Sequence, residues 1–246
     1  HPFPDPEIKG RPRDAYRALA VLSHMAAVDR DAGQADAWIG AFTDDEAWCF
    51  WQMRTRPSEY PHSQFHVPLE RTRADGSKFV GYYVGVWKGM KMGVRPASKI
   101  ACRKNEPWLQ AWRLEMDKIV STWLDTRSAA LRALLALRAE RLGPEQARPY
   151  WADDFTDDFQ FYFISPGLLA KGQAKWEEMN EKARVKMCSV AKKGVGTVVD
   201  VIGARNVVNG GFGTIVPSKR ARAITESQQA ILGRLNRERY EANNGL

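Results

Sequence analysis

Apolar residues recur along one face of a helix from Asn105 to Leu142. Trp108, Trp112, Met116, Ile119 and Trp123 follow one another at spacings of 4, 4, 3 and 4. Leu124, Leu131, Leu134, Leu135 and Leu142 continue the stripe. Asn105 is a capping residue, Pro107 suits a first turn where a missing N–H costs nothing, and Gly143-Pro144 is a stop signal. The pattern predicts one helix of roughly 35 residues, about 53 Å long at 1.5 Å per residue. Its tryptophan-bearing half is expected to anchor in the chain's own core. Its second half sets Arg127, Arg132, Arg138 and Arg141 between the leucines. That alternation predicts an open face, with Leu131 and Leu135 docking a partner.

Two runs, Phe65 to Arg71 and Lys78 to Trp87, flank a turn around Ala74-Asp75-Gly76, with an imperfect alternation in the second that Gly81 and Gly85 weaken. An Asp-Gly pair supplies the positive-φ residues a tight turn needs, so a β-hairpin over about 65–87 is expected. Phe159 to Ile164 reads as a buried strand. Val195 to Val208 and Phe212 to Val216, joined by Asn209-Gly210-Gly211, predict a small C-terminal strand pair. Helices are expected from Asp14 to about Arg30, from Ala35 to Phe42, and from Asp44 to Met53. Tyr16, Leu19, Ala20, Ser23, Ala26 and Ala27 form the inward face of the first. Thr43-Asp44-Asp45-Glu46 is read as the capping box of the third. A short helical stretch from Pro144 to Trp151 is predicted, then a helix opened by Ser165-Pro166 and running to about Lys193, and a closing amphipathic helix from Glu226 to Asn243.

The fold class predicted is α+β: mostly helical, with a long central helix, a hairpin and a C-terminal strand pair. Residues 1–13, holding Pro2, Pro4, Pro6 and Pro12, read as an extended arm. A helical and hairpin region (14–104) and a long-helix region with a C-terminal α+β part (105–246) follow, as two units or one. The run Ala133 to Leu137 is among the longest apolar stretches and is far too short to span a bilayer, so no transmembrane segment is expected.

Charge changes the picture. The net +8 is uneven: residues 1–106 carry 16 Lys and Arg against 13 Asp and Glu, 107–164 carry 7 against 9, and 165–246 carry 14 against 7. Seven basic residues and no acidic one lie between Gly76 and Asn105, namely Lys78, Lys88, Lys91, Arg95, Lys99, Arg103 and Lys104, with Tyr82, Tyr83 and Trp87 among them. Cations meet phosphates and exposed rings stack on unpaired bases, which marks this segment, with Lys219, Arg220 and Arg222, as a candidate polyanion- or partner-binding surface. The alternative is a solvated basic loop beside core aromatics.

Other chemistry is thin. Cys49, Cys102 and Cys188 are odd in number and widely spaced, against a disulfide scaffold or a cysteine zinc site. Asp153-Asp154-Phe155-Thr156-Asp157-Asp158 lacks the alternation, Gly and terminal Glu of a calcium loop, and is expected to be a solvated acidic turn. His62 and His66 sit between Pro61 and Pro68, without the Glu of a zinc protease motif. Gly210, Gly211 and Gly213 lie between apparent strands, unlike a phosphate-binding loop. No catalytic residue, metal or cofactor is assigned. Two classes of function remain. One is a non-catalytic basic subunit of a large multiprotein assembly, such as an organellar ribosome or a respiratory or ATP synthase complex. The other is a free-standing RNA- or DNA-binding protein using 78–104, with an enzyme of unrecognised type a distant third. The sequence opens on His1-Pro2 without Met, for which organelle targeting, secretion and trimming are all readings. A mitochondrial or other organelle interior is expected, otherwise the cytoplasm.

Overall fold

The structure, a computed structural model, describes residues 12–47, 49–90, 97–155, 158–189, 194–201, 204–209, 212–217 and 225–234. The arm at 1–11, Lys91, Arg95 and Lys219 to Arg222 lie outside them. The fold is α+β. Its elements in chain order are α1 (Pro12–Asp31), β1 (Gly40–Asp45), α2 (Cys49–Gln52), β2 (Gln64–Thr72), β3 (Lys78–Val86), α3 (Ala97–Leu124) and α4 (Ala129–Leu142). Then come β4 (Tyr150–Phe155), β5 (Asp158–Phe163), α5 (Pro166–Ala183), β6 (Val195–Gly196), β7 (Val198–Val201), β8 (Ala204–Asn209) and β9 (Phe212–Pro217). A further helix covers residues 225–234. Short 3-10 turns occupy Pro57–Ser63 and Pro144–Ala147, the latter in place of the helix expected to reach Trp151.

The body is built on a sheet in the order β4-β5-β1-β6, with β1 antiparallel to both neighbours and β5 antiparallel to β4. Alternation in β5 puts Phe159, Phe161 and Phe163 on one face and Gln160 and Tyr162 on the other. Trp112 of α3 and Trp176 of α5 each place their ring 4.9 Å from Phe161, and Phe42 of β1 stacks on Phe161 at 4.1 Å. Close packing here needs Gly172: a Cβ on it would lie 2.5 Å from the Phe163 ring. The Gly172 carbonyl also accepts from Trp112 Nε1 at 3.1 Å. Across the sheet, Trp151 stacks on Tyr162 at 5.5 Å, and Tyr162 Oη is bonded to Asn206 of β8. Strands β7, β8 and β9 form a second antiparallel sheet that rests on β1 and α1. It contains the expected C-terminal pair, β8 and β9, plus one more strand.

Several expectations are corrected. Residues 35–42 and 44–53 are not two helices: β1 runs through 40–45, and only Cys49–Gln52 is helical. Thr43 to Glu46 is not a capping box, because its polar groups have distant partners. Asp44 Oδ2 accepts from Trp176 Nε1 at 3.1 Å, Thr43 Oγ1 accepts from Gly194 N at 3.1 Å, and Glu46 pairs with Lys104. In α1 the buried apolar residues are Ala15, Leu19, Leu22, Met25 and Ala26, a face turned by about one residue from the expected one, and Tyr16 is exposed. Helix α5 begins at its Ser165 cap as expected but ends at Ala183, with Arg184 in the left-handed conformation.

The long helix is two helices. α3 starts at Ala97, eight residues before the expected cap at Asn105, so Pro107 lies inside it. It stops at Leu124 without Gly or Pro. Ser128 then caps α4, its Oγ accepting from Leu131 N at 3.1 Å. What holds the corner is Asp29 at the end of α1. One of its oxygens accepts from Arg127 Nε at 2.7 Å and the other from Ser128 N at 3.1 Å. Arg127 Nη1 also reaches Asp36 at 2.8 Å, and its guanidinium lies over the Trp123 ring. An ion pair with a residue 98 positions away sets the break, which no local stop signal announces.

Candidate interaction surface

Strands β2 and β3 form a two-stranded ribbon that pairs with no other strand among the described residues. The turn at Ala74-Asp75-Gly76 is closed by Arg73 N donating to Ser77 O at 2.8 Å, with Gly76 at φ 84°. Asp75 Oδ1 accepts from Ser77 N at 2.9 Å and Ser77 Oγ at 2.7 Å, holding its carboxyl below the usual range. Cross-strand register sets the two faces. Phe65, Val67, Leu69 and Arg71 stand opposite Gly85, Tyr83, Gly81 and Phe79; Gln64, His66, Pro68, Glu70 and Thr72 stand opposite Val86, Val84, Tyr82, Val80 and Lys78. On the first face the Phe65 ring lies across Gly85, 4.9 Å from the Trp87 ring, and Arg71 and Arg73 sit over the Tyr83 and Phe79 rings at 4.6 and 4.8 Å.

Among the described residues nothing covers either face. Every residue of β2 is exposed, and in β3 Tyr82 is 66% exposed and Val80 and Val84 each 57%. At its base the ribbon is tied to the body by the 3-10 turn at Pro57–Ser63 and by Thr55, whose N–H donates to Lys88 O at 2.9 Å. A lone two-stranded ribbon is marginal in water, because it buries too little apolar surface to offset the ordering of its backbone. One carrying Phe65, Val67, Leu69, Val80, Tyr82, Tyr83, Val84 and Val86 outward is suited to meeting another surface.

The expected basic surface is largely dispersed among the described residues. Lys78 sits beside the turn, ion-paired with Glu70. Lys88 is at the base, about 30 Å away at 3.3 Å per residue. Arg103 is exposed on α3, while Lys104 is paired with the buried carboxylate of Glu46. Lys99 is in the first turn of α3. Leu131 and Leu135, expected on an open docking face, are instead buried in the main core, where α4 packs on α1. The arginines between them point elsewhere; Arg138 Nε, for one, donates to Gln146 O at 2.9 Å. Sequence reasoning missed Phe65, Val67, Leu69, Arg71 and Arg73 as surface residues. Strict alternation from Phe65 to Glu70 was the available signal.

Two other groupings are structural in character. A cleft of about 320 Å³ between α1, the 3-10 turn at Pro144–Ala147 and β4 is lined by Asp14, Arg17, Glu145, Arg148, Tyr150 and Trp151, among others. Arg148 is committed to Asp117 through contacts of 2.9 and 2.7 Å, and Tyr150 Oη donates to the same carboxylate at 2.7 Å. Among the described residues no group of three His, Cys, Asp or Glu is placed to hold a metal ion, and no helix is long and apolar enough to cross a membrane. No protein-family model and no curated protein matches the chain.

Asp153 and Asp154 form part of β4 rather than a solvated turn. Asp154 is buried, accepting from Asn105 Nδ2 at 3.2 Å. Burial pushes its carboxyl up to about 7, against the opposing effect of the Asn105 bond, and pushes Asp153 up to about 6. A carboxyl whose folded pKa is raised binds its proton more tightly when folded. Its stabilising contribution is full below the unfolded value and is lost as pH rises toward the folded value. Stability should therefore fall from about pH 4 to pH 7 through these groups. Asp154→Asn keeps an acceptor for Asn105 and removes the ionisation. It is expected to flatten that slope and to raise the melting midpoint at pH 8 by roughly 5 °C, for about 2 kcal/mol. Thermal melts of both proteins from pH 4 to 8 check it; parallel curves would contradict it.

Proposed function

We propose that the chain is a non-catalytic structural or accessory subunit of a large multiprotein assembly, docked to a neighbouring protein through the β2–β3 ribbon. The observation that carries this reading is the exposure of apolar side chains on both ribbon faces. Burying them against protein recovers about 25 cal/mol per Å² of apolar area, and the ribbon has no partner for them among the described residues. The uneven basic charge is compatible with an organellar setting such as a ribosome or a respiratory or ATP synthase complex.

Exposed aromatics with Arg71 and Arg73 beside them also favour a nucleic-acid reading. Two features weigh against it. Residues 64–86 carry Arg71, Arg73 and Lys78 against Glu70 and Asp75, a net of only about one positive charge to attract phosphates. Moreover, Val67, Leu69, Val80, Val84 and Val86 are aliphatic and offer bases no stacking surface. Tagged full-length chain recovered from its source is expected to bring a fixed set of proteins at constant stoichiometry. Binding to RNA or DNA with an affinity that falls steeply between 50 and 200 mM salt, without protein partners, would overturn the proposal in favour of the nucleic-acid reading.

A further inference from the structure

The two edges of the ribbon are unlike, and the difference identifies an occupant. Antiparallel ladders alternate between pairs that bond each other and pairs whose N–H and C=O point outward. Because Arg73 N bonds Ser77 O, counting back along the register makes Pro68 and Tyr82 an outward-pointing pair. Pro68 has no N–H, so the outer edge of β2 lacks a donor at mid-strand. That edge also presents Glu70. This is how natural sheets block strand addition. The edge of β3 carries no such defence: Phe79 to Trp87 contains neither Pro nor a charge, and the backbones of Lys78, Val80, Tyr82, Val84 and Val86 all point outward.

We infer that the β3 edge pairs with β3 of a second copy of this chain, joining two ribbons into a four-stranded antiparallel sheet about a two-fold axis at Tyr82. This rests on the ribbon being a protein-docking surface and assigns its β3 edge, leaving both apolar faces to a neighbouring protein. A two-fold perpendicular to the sheet keeps each face on its own side and sets residue 82+k opposite 82−k. The β3 sequence is self-complementary in that register. Val80 meets Val84, Tyr82 meets Tyr82, and Phe79 and Tyr83 meet Gly85 and Gly81, over which the Phe65 and Arg71 side chains of the same ribbon lie. The only charge, on Lys78, meets Val86, so no like charges oppose. Tyr82 is an outward-pointing residue, which makes the central pair a bonding pair and lets the ladder run the full length of β3.

Sedimentation velocity of the full chain tests this. Wild type is expected as a dimer of two 27.8 kDa chains. Tyr82→Lys sets two ammonium groups directly opposite at the axis, and Val84→Pro removes an outward donor without touching a bond inside the ribbon. Each is expected to weaken dimerisation at least tenfold, while His66→Lys on the β2 side leaves it unchanged. Melting curves equal to wild type establish that the bodies stay folded. Tyr82→Cys places two thiols about 5.5 Å apart by Cα, within disulfide reach, and is expected to form a covalent dimer on oxidation. Pro68→Cys, on the far strands, is not, and wild type reports the background from the native cysteines. A monomer up to about 100 µM, a dimer indifferent to Tyr82→Lys and Val84→Pro, or equal cross-linking at 68 and 82 would overturn the inference. If the chain is monomeric yet still co-purifies with other proteins through its ribbon, self-pairing falls and the docking reading stands.

Discussion

Leu131→Asp is expected to unfold the isolated chain, with a loss of more than about 4 kcal/mol. Leu131 is 0% exposed and sits in the first turn of α4, where Ser128 caps its backbone. Removing the leucine forfeits roughly 1.5–3 kcal/mol of burial, and the carboxylate that replaces it has no cation or donor prepared for it. Against a total stability of about 5–15 kcal/mol, the sum takes most of the margin. Sequence pattern alone points the other way, to an open leucine face whose loss disrupts assembly more than it lowers monomer stability. Urea unfolding of the purified protein separates the two: a large drop in midpoint places Leu131 in the core, and an unchanged midpoint places it on a docking face.

Arg127→Ala is expected to cost about 3–5 kcal/mol, because it leaves the fully buried Asp29 without its cation. The effect reaches beyond one pair. Asp29 also accepts from Ser128 N, and Arg127 holds Asp36 from the loop before β1. Losing the arginine therefore loosens α1, the α3–α4 corner and the approach to β1 together. Arg127→Ala with Asp29→Asn is expected to recover part of the loss, since the orphaned charge rather than the missing side chain is the larger component. Chemical denaturation of the single and double variants checks this; an additive double variant would contradict it.

These two sites also show where sequence stops being informative. The hairpin was legible because Asp75-Gly76 and the flanking alternation are local signals, and α5 opened where Ser165-Pro166 said it would. Strand β1 was not legible. Its Thr-Asp-Asp-Glu run resembles a helix cap, and partners far along the chain, Trp176, Gly194, Lys104 and Cys188 among them, make a buried strand tolerable there. The break at 125–128 depends on Asp29 in the same way. For the candidate surface, composition identified the hairpin and its aromatics but could not say which side chains stay outside. Tyr82 and Tyr83 lie on opposite faces of β3, yet no other element among the described residues covers either face. Lys104 counted as a surface cation, although Glu46 holds it.

The β2–β3 ribbon as docking arm is the central claim, and co-purification with and without it is the most direct measurement. Phe65 and Gly85 are a bonding cross-strand pair, so an Asn-Gly turn can join them in place of residues 66–84 while the body keeps its core. Tagged wild-type and shortened chains would be recovered from their source and their partners quantified by mass spectrometry, after both are shown to melt alike. A fixed set of partners is expected with the wild type and at least a tenfold loss with the shortened chain. Equal recovery of the same partners by both chains would contradict it.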